Sequence, residues 1–211
     1  MNDAREVAET TCTIPLPRLT KTQDALLRAA FRELMTTSAA VGVERLANLS
    51  GVAAVEVEEE LAQLAAAGRV GRDRNGSVTG ALGLTIDTTR HELLIGSTSW
   101  HTWCVIDALG ILGALSETGT VRSTVPATDE SVEVQFTDGH PTAGALDSVV
   151  FMPDHQAGAP VIDSWCPSVN FFPDADAAER WAAGAGVRGR QVSLPVATAA
   201  ASDRWRERLA E

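Results

Sequence analysis

Cys104 and Asp107 stand three residues apart in the apolar run 100–115, WHTWCVIDALGILGAL. Read as one buried helix, that run puts the thiol and the carboxyl on one face. A thiol in the first helical turn meets unpaired backbone amides, which favour thiolate and predict a pKa below the free value of about 8.5. A carboxylate among apolar neighbours is costly to bury as a charge, so its pKa is expected to rise, which suits a proton carrier. Trp100 and Trp103 stand where they would wall off a water-poor pocket. The second thiol of interest, Cys166, lies in 163–181, DSWCPSVNFFPDADAAERW, between a predicted loop and a predicted strand. Pro167 restricts the chain there, and Trp165, Phe171 and Phe172 supply apolar walls.

Unreactive readings of the same residues stay open at this level. A free cysteine often behaves as a small buried hydrophobe, and Asp107 could do no more than hydrogen-bond a neighbouring loop. His101 beside Cys104 suggests a cysteine hydrolase, but a base serves a thiol only where the fold aims it at sulfur. Neither a G-x-S-x-G nucleophile elbow nor a Walker phosphate loop occurs in the sequence.

The wider composition excludes several function classes. The 211 residues contain three cysteines, Cys12, Cys104 and Cys166, an odd number with no C-x-x-C pair. A disulfide-stapled secreted domain or a structural zinc site of the usual spacing is therefore not expected. With 17 basic and 28 acidic residues the formal net charge is −11, which disfavours binding driven by phosphate neutralisation. The first 25 residues hold no apolar stretch of signal-peptide length, and no run reaches a membrane span. These features lead us to expect a cytoplasmic protein with reduced thiols and neither nucleic acid nor membrane among its partners.

The elements that must position these side chains follow from periodicity. Residues 1–20 read as a flexible arm broken by Pro15 and Pro17. Helical periodicity starts near Thr22, with Leu26, Leu27, Ala30, Phe31, Leu34 and Met35 on one face. Further helices fit 44–49 and 53–67, and Asn75-Gly76 marks a hairpin between 69–73 and 77–84. Three helices and a hairpin give 21–86 the order of a winged helix-turn-helix module. A DNA role is not expected, because its third helix carries Glu56, Glu58, Glu59 and Glu60. Beyond it, 87–211 reads as a mixed α/β catalytic domain. The pattern changes with a strand candidate at 81–87; further strand candidates are 92–96, 120–125, 131–137, 148–152, 168–172 and 191–194, and helices 100–115, 174–183 and 202–209. The fold class expected is α+β with short, mainly antiparallel strands.

Together the two cysteine segments resemble the organomercurial (alkylmercury) lyases. The resemblance covers residues 22–195 and is most specific in W-C-x-x-D at Trp103, Cys104 and Asp107, and in the cysteine five residues before Phe171-Phe172. It implies that Cys104 and Cys166 bind mercury, that Asp107 handles the proton, and that the amino-terminal helical module has no DNA role. Some family members carry another cysteine directly after the second catalytic one, where this chain has Pro167. A further non-catalytic cysteine of better-known members falls near Val125. Cys12 matches nothing in the pattern.

The chemistry implied is protonolysis of a carbon–mercury bond to a hydrocarbon and Hg(II). Thiolate is the soft ligand that soft Hg(II) prefers, and Asp107 would serve as general acid and base. Trp103 and Trp165 would line the pocket. No metal cofactor is expected, whereas an external thiol, or a mercuric reductase, would have to accept the Hg(II). The chain is expected to be a monomer or a homodimer. Alternatives are a soft-metal binding protein without turnover and an enzyme of the same fold acting on another carbon–metal bond.

Overall fold

A computed structural model describes residues 18–154 and 160–210. The expected arm at 1–20, including Cys12, falls almost wholly outside them. Helix α1 (Lys21–Thr37) begins where its sequence can cap it: Gln23 N–H donates to Thr20 Oγ1 and Thr20 N–H to Gln23 Oε1, both at 3.1 Å. It buries Leu26, Leu27, Ala30, Phe31 and Leu34. Helices α2 (Val43–Ser50) and α3 (Ala54–Ala66) follow, and then the strands β1 (Val70–Arg72) and β2 (Val78–Ala81). The acidic helix α3 is tied to the hairpin by the pair Glu58–Arg72, 2.7 Å apart.

The sheet does not stop at residue 86. Strands β1 and β2, with β3 (Leu84–Thr85), β4 (His91–Ile95), β5 (Thr98–Thr102), β6 (Gly119–Thr124), β7 (Ser131–Thr137) and β8 (His140–Gly144), form one antiparallel sheet. Its order is β1-β2-β3-β5-β4-β6-β7-β8. A second antiparallel sheet holds β9 (Val149–Pro153) between β10 (Asn170–Phe172) and β11 (Gly189–Ser193). The mixed α+β class with antiparallel strands is thus observed.

Two sequence expectations are corrected here. The run 100–115 is not one helix: Trp100, His101 and Thr102 end strand β5, and helix α4 (Val105–Leu115) starts only after Cys104. Aromatic and β-branched residues favour the pleated conformation, and β5 finds partners on both sides, β3 and β4. The terminal helix, expected over 202–209, runs as α7 (Leu194–Leu209) and absorbs the Ala-rich stretch before it. The short helix α5 (Val161–Ser164) and strand β8 were not expected, while α6 (Ala175–Ala185) falls close to the expected 174–183.

Helix α4 is buried on every side from Val105 to Gly113, which is the pattern of a central helix. Its glycines make the seat for α7. A Cβ on Gly110 would come within 2.6 Å of the Trp205 ring, and one on Gly113 within 1.7 Å of Ser202 Oγ. Any side chain at either position would push α7 away. No helix of the described residues is long and apolar enough to cross a membrane.

Candidate active site

Strand β5 delivers Cys104 to the amino end of α4. Thr102 Oγ1 donates to the Cys104 carbonyl at 2.9 Å, and the extended backbone of Cys104 (φ −149°, ψ 169°) makes it the residue that caps the helix. Asp107 sits at the third helical position and turns back. Its Oδ2 accepts the Cys104 N–H at 3.0 Å and lies 3.1 Å from Cys104 Sγ. The C-x-x-D spacing therefore acts like the Ser-x-x-Glu capping arrangement, in which the third helical residue reaches back to the cap. Here the returning carboxyl also holds the thiol.

Cys166 comes from a different element. It begins a 3-10 turn (Cys166–Ser168) directly after α5, and Pro167 pre-sets the turn's backbone. The turn is pinned by Asn170 Nδ2 donating to the Pro167 carbonyl at 3.0 Å and by Trp165 Nε1 donating to the Pro153 carbonyl at 3.1 Å. The ligand atoms of Cys104, Asp107 and Cys166 lie within 4.8 Å of one another, and all three residues are buried. Sixty-odd residues of chain separate the cysteines, so only the packed fold brings them together. His101 is not among the three, and the cysteine-hydrolase arrangement is not what the fold builds around Cys104.

The electrostatics correct one expectation and match another in direction. Burial, the neighbouring Cys166 thiol and the Asp107 carboxyl push the Cys104 thiol well above its ordinary pKa. The expected lowering by helix amides does not prevail, because desolvation and a nearby carboxyl both disfavour a second negative charge. Burial likewise raises the pKa of Asp107. The Cys104 hydrogen bond and the positive Arg208 and Arg204 oppose that rise without cancelling it.

Around the cluster lie residues that sequence reasoning missed. Leu82 and Gly83, both at positive φ (50° and 87°), form the two-residue turn between β2 and β3. A Cβ on Gly83 would sit 2.4 Å from Asp107 Cγ, so glycine is required for both the turn and the close approach. Trp103 N–H donates to the Gly83 carbonyl at 2.9 Å and Trp205 Nε1 to the Leu82 carbonyl at 3.1 Å, clamping the turn over Asp107. Trp103, Trp165 and Trp205 line a cavity of about 50 Å³ that also touches Gly83. Trp100 instead donates to the Leu34 carbonyl at 3.2 Å, anchoring β5 to α1. Arg69, Arg204 and Arg208 complete the cavity wall. The legible signal for this part was the Gly110/Gly113 spacing, which asks for a closely packed partner helix.

A crystal structure titled as the mercury-bound form of MerB2 has the same fold, with a TM-score of 0.83 over 100% of both chains at 22% identity. No curated protein sequence matches the chain. The family model for MerB, alkylmercury lyase, matches residues 84–206, more than half of the sequence and the part that contains Cys104, Asp107 and Cys166. The chain belongs to the alkylmercury lyase family.

Proposed function

We propose that Cys104, Cys166 and Asp107 carry the carbon–mercury cleavage of this organomercurial lyase. The observation that supports the assignment is the convergence of two buried thiols and one buried carboxyl within 4.8 Å. Mercury is here the substrate, arriving as R–Hg–SR′ on a cellular thiol. Asp107 takes the proton of Cys104 through the 3.1 Å contact, and the freed thiolate attacks mercury. Cys166 adds as the second sulfur, and its proton leaves on the departing thiol R′SH. Two thiolates donating to mercury raise the electron density on the attached carbon, and protonated Asp107 delivers its proton there. The balance is R–Hg–SR′ plus two protein thiols giving R–H, R′SH and a protein-bound Hg(II) dithiolate.

In this reading the enzyme needs no resident metal, and an external thiol or a mercuric reductase accepts Hg(II). Burial of Asp107 supports the general-acid role, since a raised pKa favours the carboxyl holding the proton it takes from Cys104 until the carbon receives it. Residues 21–86 form, in the same reading, a winged-helix-like unit without a DNA role, and 87–211 the catalytic unit. The order of three helices and a hairpin supports this, as does the acidic α3. Localisation in the cytoplasm belongs to the reading too.

The same pair of thiols would also suit sequestration of a soft metal without turnover. Release of benzene from phenylmercury separates the two: catalytic benzene formation with excess thiol is expected. Stoichiometric mercury uptake without benzene would leave only the binding function.

A further inference from the structure

The turn that carries Cys166 is closed by a side chain. Ser168 N–H donates to the Trp165 carbonyl at 3.0 Å and Val169 N–H to the Cys166 carbonyl at 3.1 Å, the ladder of a 3-10 helix. The next donor in that ladder would be the backbone N–H of Asn170, reaching the Pro167 carbonyl. The Asn170 side chain takes that place instead, with Nδ2 donating to the Pro167 carbonyl at 3.0 Å. Its backbone is thereby released to open strand β10 opposite Phe151 of β9. One carboxamide thus lets the chain change from turn to strand without leaving the Pro167 carbonyl unmet.

Few residue types can do this. Ionised aspartate has the length but no donor, and leucine has the bulk but no polar group. Asn170 is fully buried, flanked in sequence by the buried Val169 and Phe171. Among the described residues its Oδ1 has no hydrogen-bond partner. A buried carboxamide with one end unmatched costs stability, so a position that only filled the core would be better served by an apolar side chain. The turn is fastened to β9 a second time, by Trp165 Nε1 donating to the Pro153 carbonyl. Cys166 is therefore mounted on the three-stranded sheet, whereas Cys104 stands between β5 and α4. A change at Asn170 bears on one sulfur and not on the other.

We propose that Asn170 is a positioning residue for the second sulfur: its carboxamide holds the Cys166 turn where one mercury atom meets both thiols. It acts through the backbone of the turn and not by contact with mercury. The inference rests on the reading of Cys166 as the second mercury ligand, and it makes the two sulfurs separable. Capture of mercury by Cys104 proceeds without Asn170, whereas closure by Cys166 depends on it.

The test follows three quantities in Asn170→Leu and Asn170→Asp: the rate of phenylmercury capture by stopped-flow tryptophan fluorescence, retention of Hg(II) against dithiothreitol, and benzene release in a single turnover. Asn170→Leu should capture phenylmercury at the wild-type rate. It should hold Hg(II) at least about tenfold more weakly, a fraction of the roughly 10²- to 10⁴-fold that a second point of attachment supplies. Its benzene release should be slower by about a hundredfold, the scale of a misplaced reacting group. Asn170→Asp can donate to the Pro167 carbonyl only while its carboxyl is protonated. Its benzene release, taken as a ratio to the wild type at each pH, should therefore fall as pH rises and recover on acidification, while the ratio for Asn170→Leu stays low throughout. Wild-type retention and benzene release in Asn170→Leu would overturn the proposal, as would loss of capture by the same factor as retention, which marks general support of the fold. Where Asn170→Leu does not fold, the pH series decides: an Asn170→Asp ratio that does not change with pH contradicts the role of the donor. Cys166→Ser keeps the underlying reading apart, since wild-type retention of Hg(II) in that variant would remove Cys166 itself as a ligand. If the wild type retains Hg(II) but forms no benzene, the lyase assignment falls and retention still decides on Asn170.

Discussion

His91 and Asp107 are both titratable groups buried in one core, and they behave in opposite ways. His91, 3% exposed on β4, has Nδ1 2.9 Å from Ser123 Oγ. Burial first, then the charge of Arg90 and the neighbouring His101, hold its pKa down to about 3, so it stays neutral. Asp107 is almost as buried, yet its carboxyl lies 3.1 Å from the Cys104 thiol, with the Cys166 thiol inside the same 4.8 Å cluster. Burial and a hydrogen bond alone therefore mark a structural residue. Chemistry needs several reactive groups brought from separate elements to one point.

The largest effect expected is on the sulfur side of this contrast. Cys104→Ser should lower hydrocarbon release by at least about a thousandfold, because a hydroxyl is a poor mercury ligand. Its urea midpoint should move little. If turnover survives in gas-chromatographic assays of benzene, the site is no more reactive than the His91 pair.

Next comes the proton. Asp107→Asn should still bind mercury through the two thiols but release hydrocarbon some 10²- to 10⁴-fold more slowly, the usual range for a lost general acid. An unchanged single-turnover rate would mean that the proton travels elsewhere.

A smaller effect is expected from the turn above the carboxyl. Gly83→Ala introduces a methyl where Asp107 Cγ already lies within 2.4 Å, at a φ of 87° that alanine resists. Displacement of the carboxyl by about an ångström should cost on the order of a hundredfold in turnover while mercury binding persists. Equal loss of binding and turnover would show that the turn supports the fold and not the carboxyl.

Last, His91→Gln should leave cleavage unchanged and alter only the response to acid. The folded pKa of His91 is depressed, so its contribution to stability is full above about 6.5 and is lost as pH falls towards about 3. That loss amounts to roughly 4 kcal/mol over the window. Asp107 works in the other sense. Its folded pKa is raised, so its contribution is full below 3.8 and declines as pH rises through the raised value. Urea midpoints from pH 7 to pH 3 should therefore fall less steeply for His91→Gln than for the wild type.

Much of this site is legible in the sequence. The C-x-x-D spacing and the second thiol near Phe171-Phe172 are local patterns, and each survives in the fold. The direction of the thiol's pKa is not legible there, because the amide effect is local whereas the dominant burial and the Cys166 neighbour arise only on packing. The start of α4 is hidden for a similar reason: Trp100, His101 and Thr102, ahead of an apolar run, fit the first turn of a buried helix or the end of a strand, and strands β3 and β4 decide between them. Helix α7 was only half expected. Its Ala-rich start has no amphipathic stripe, since it is α4 with Gly110 and Gly113 that gives it a surface to bury against. The arginines of the cavity were hidden as ordinary surface charges, 69 and 204–208 being brought together by that same packing.

The most direct test of the three-residue site is benzene release from phenylmercury under excess thiol, wild type against Cys166→Ser. The geometry predicts repeated turnovers for the wild type and, for the variant, mercury retained on Cys104 with almost no benzene. Benzene formed by Cys166→Ser at the wild-type rate would contradict it.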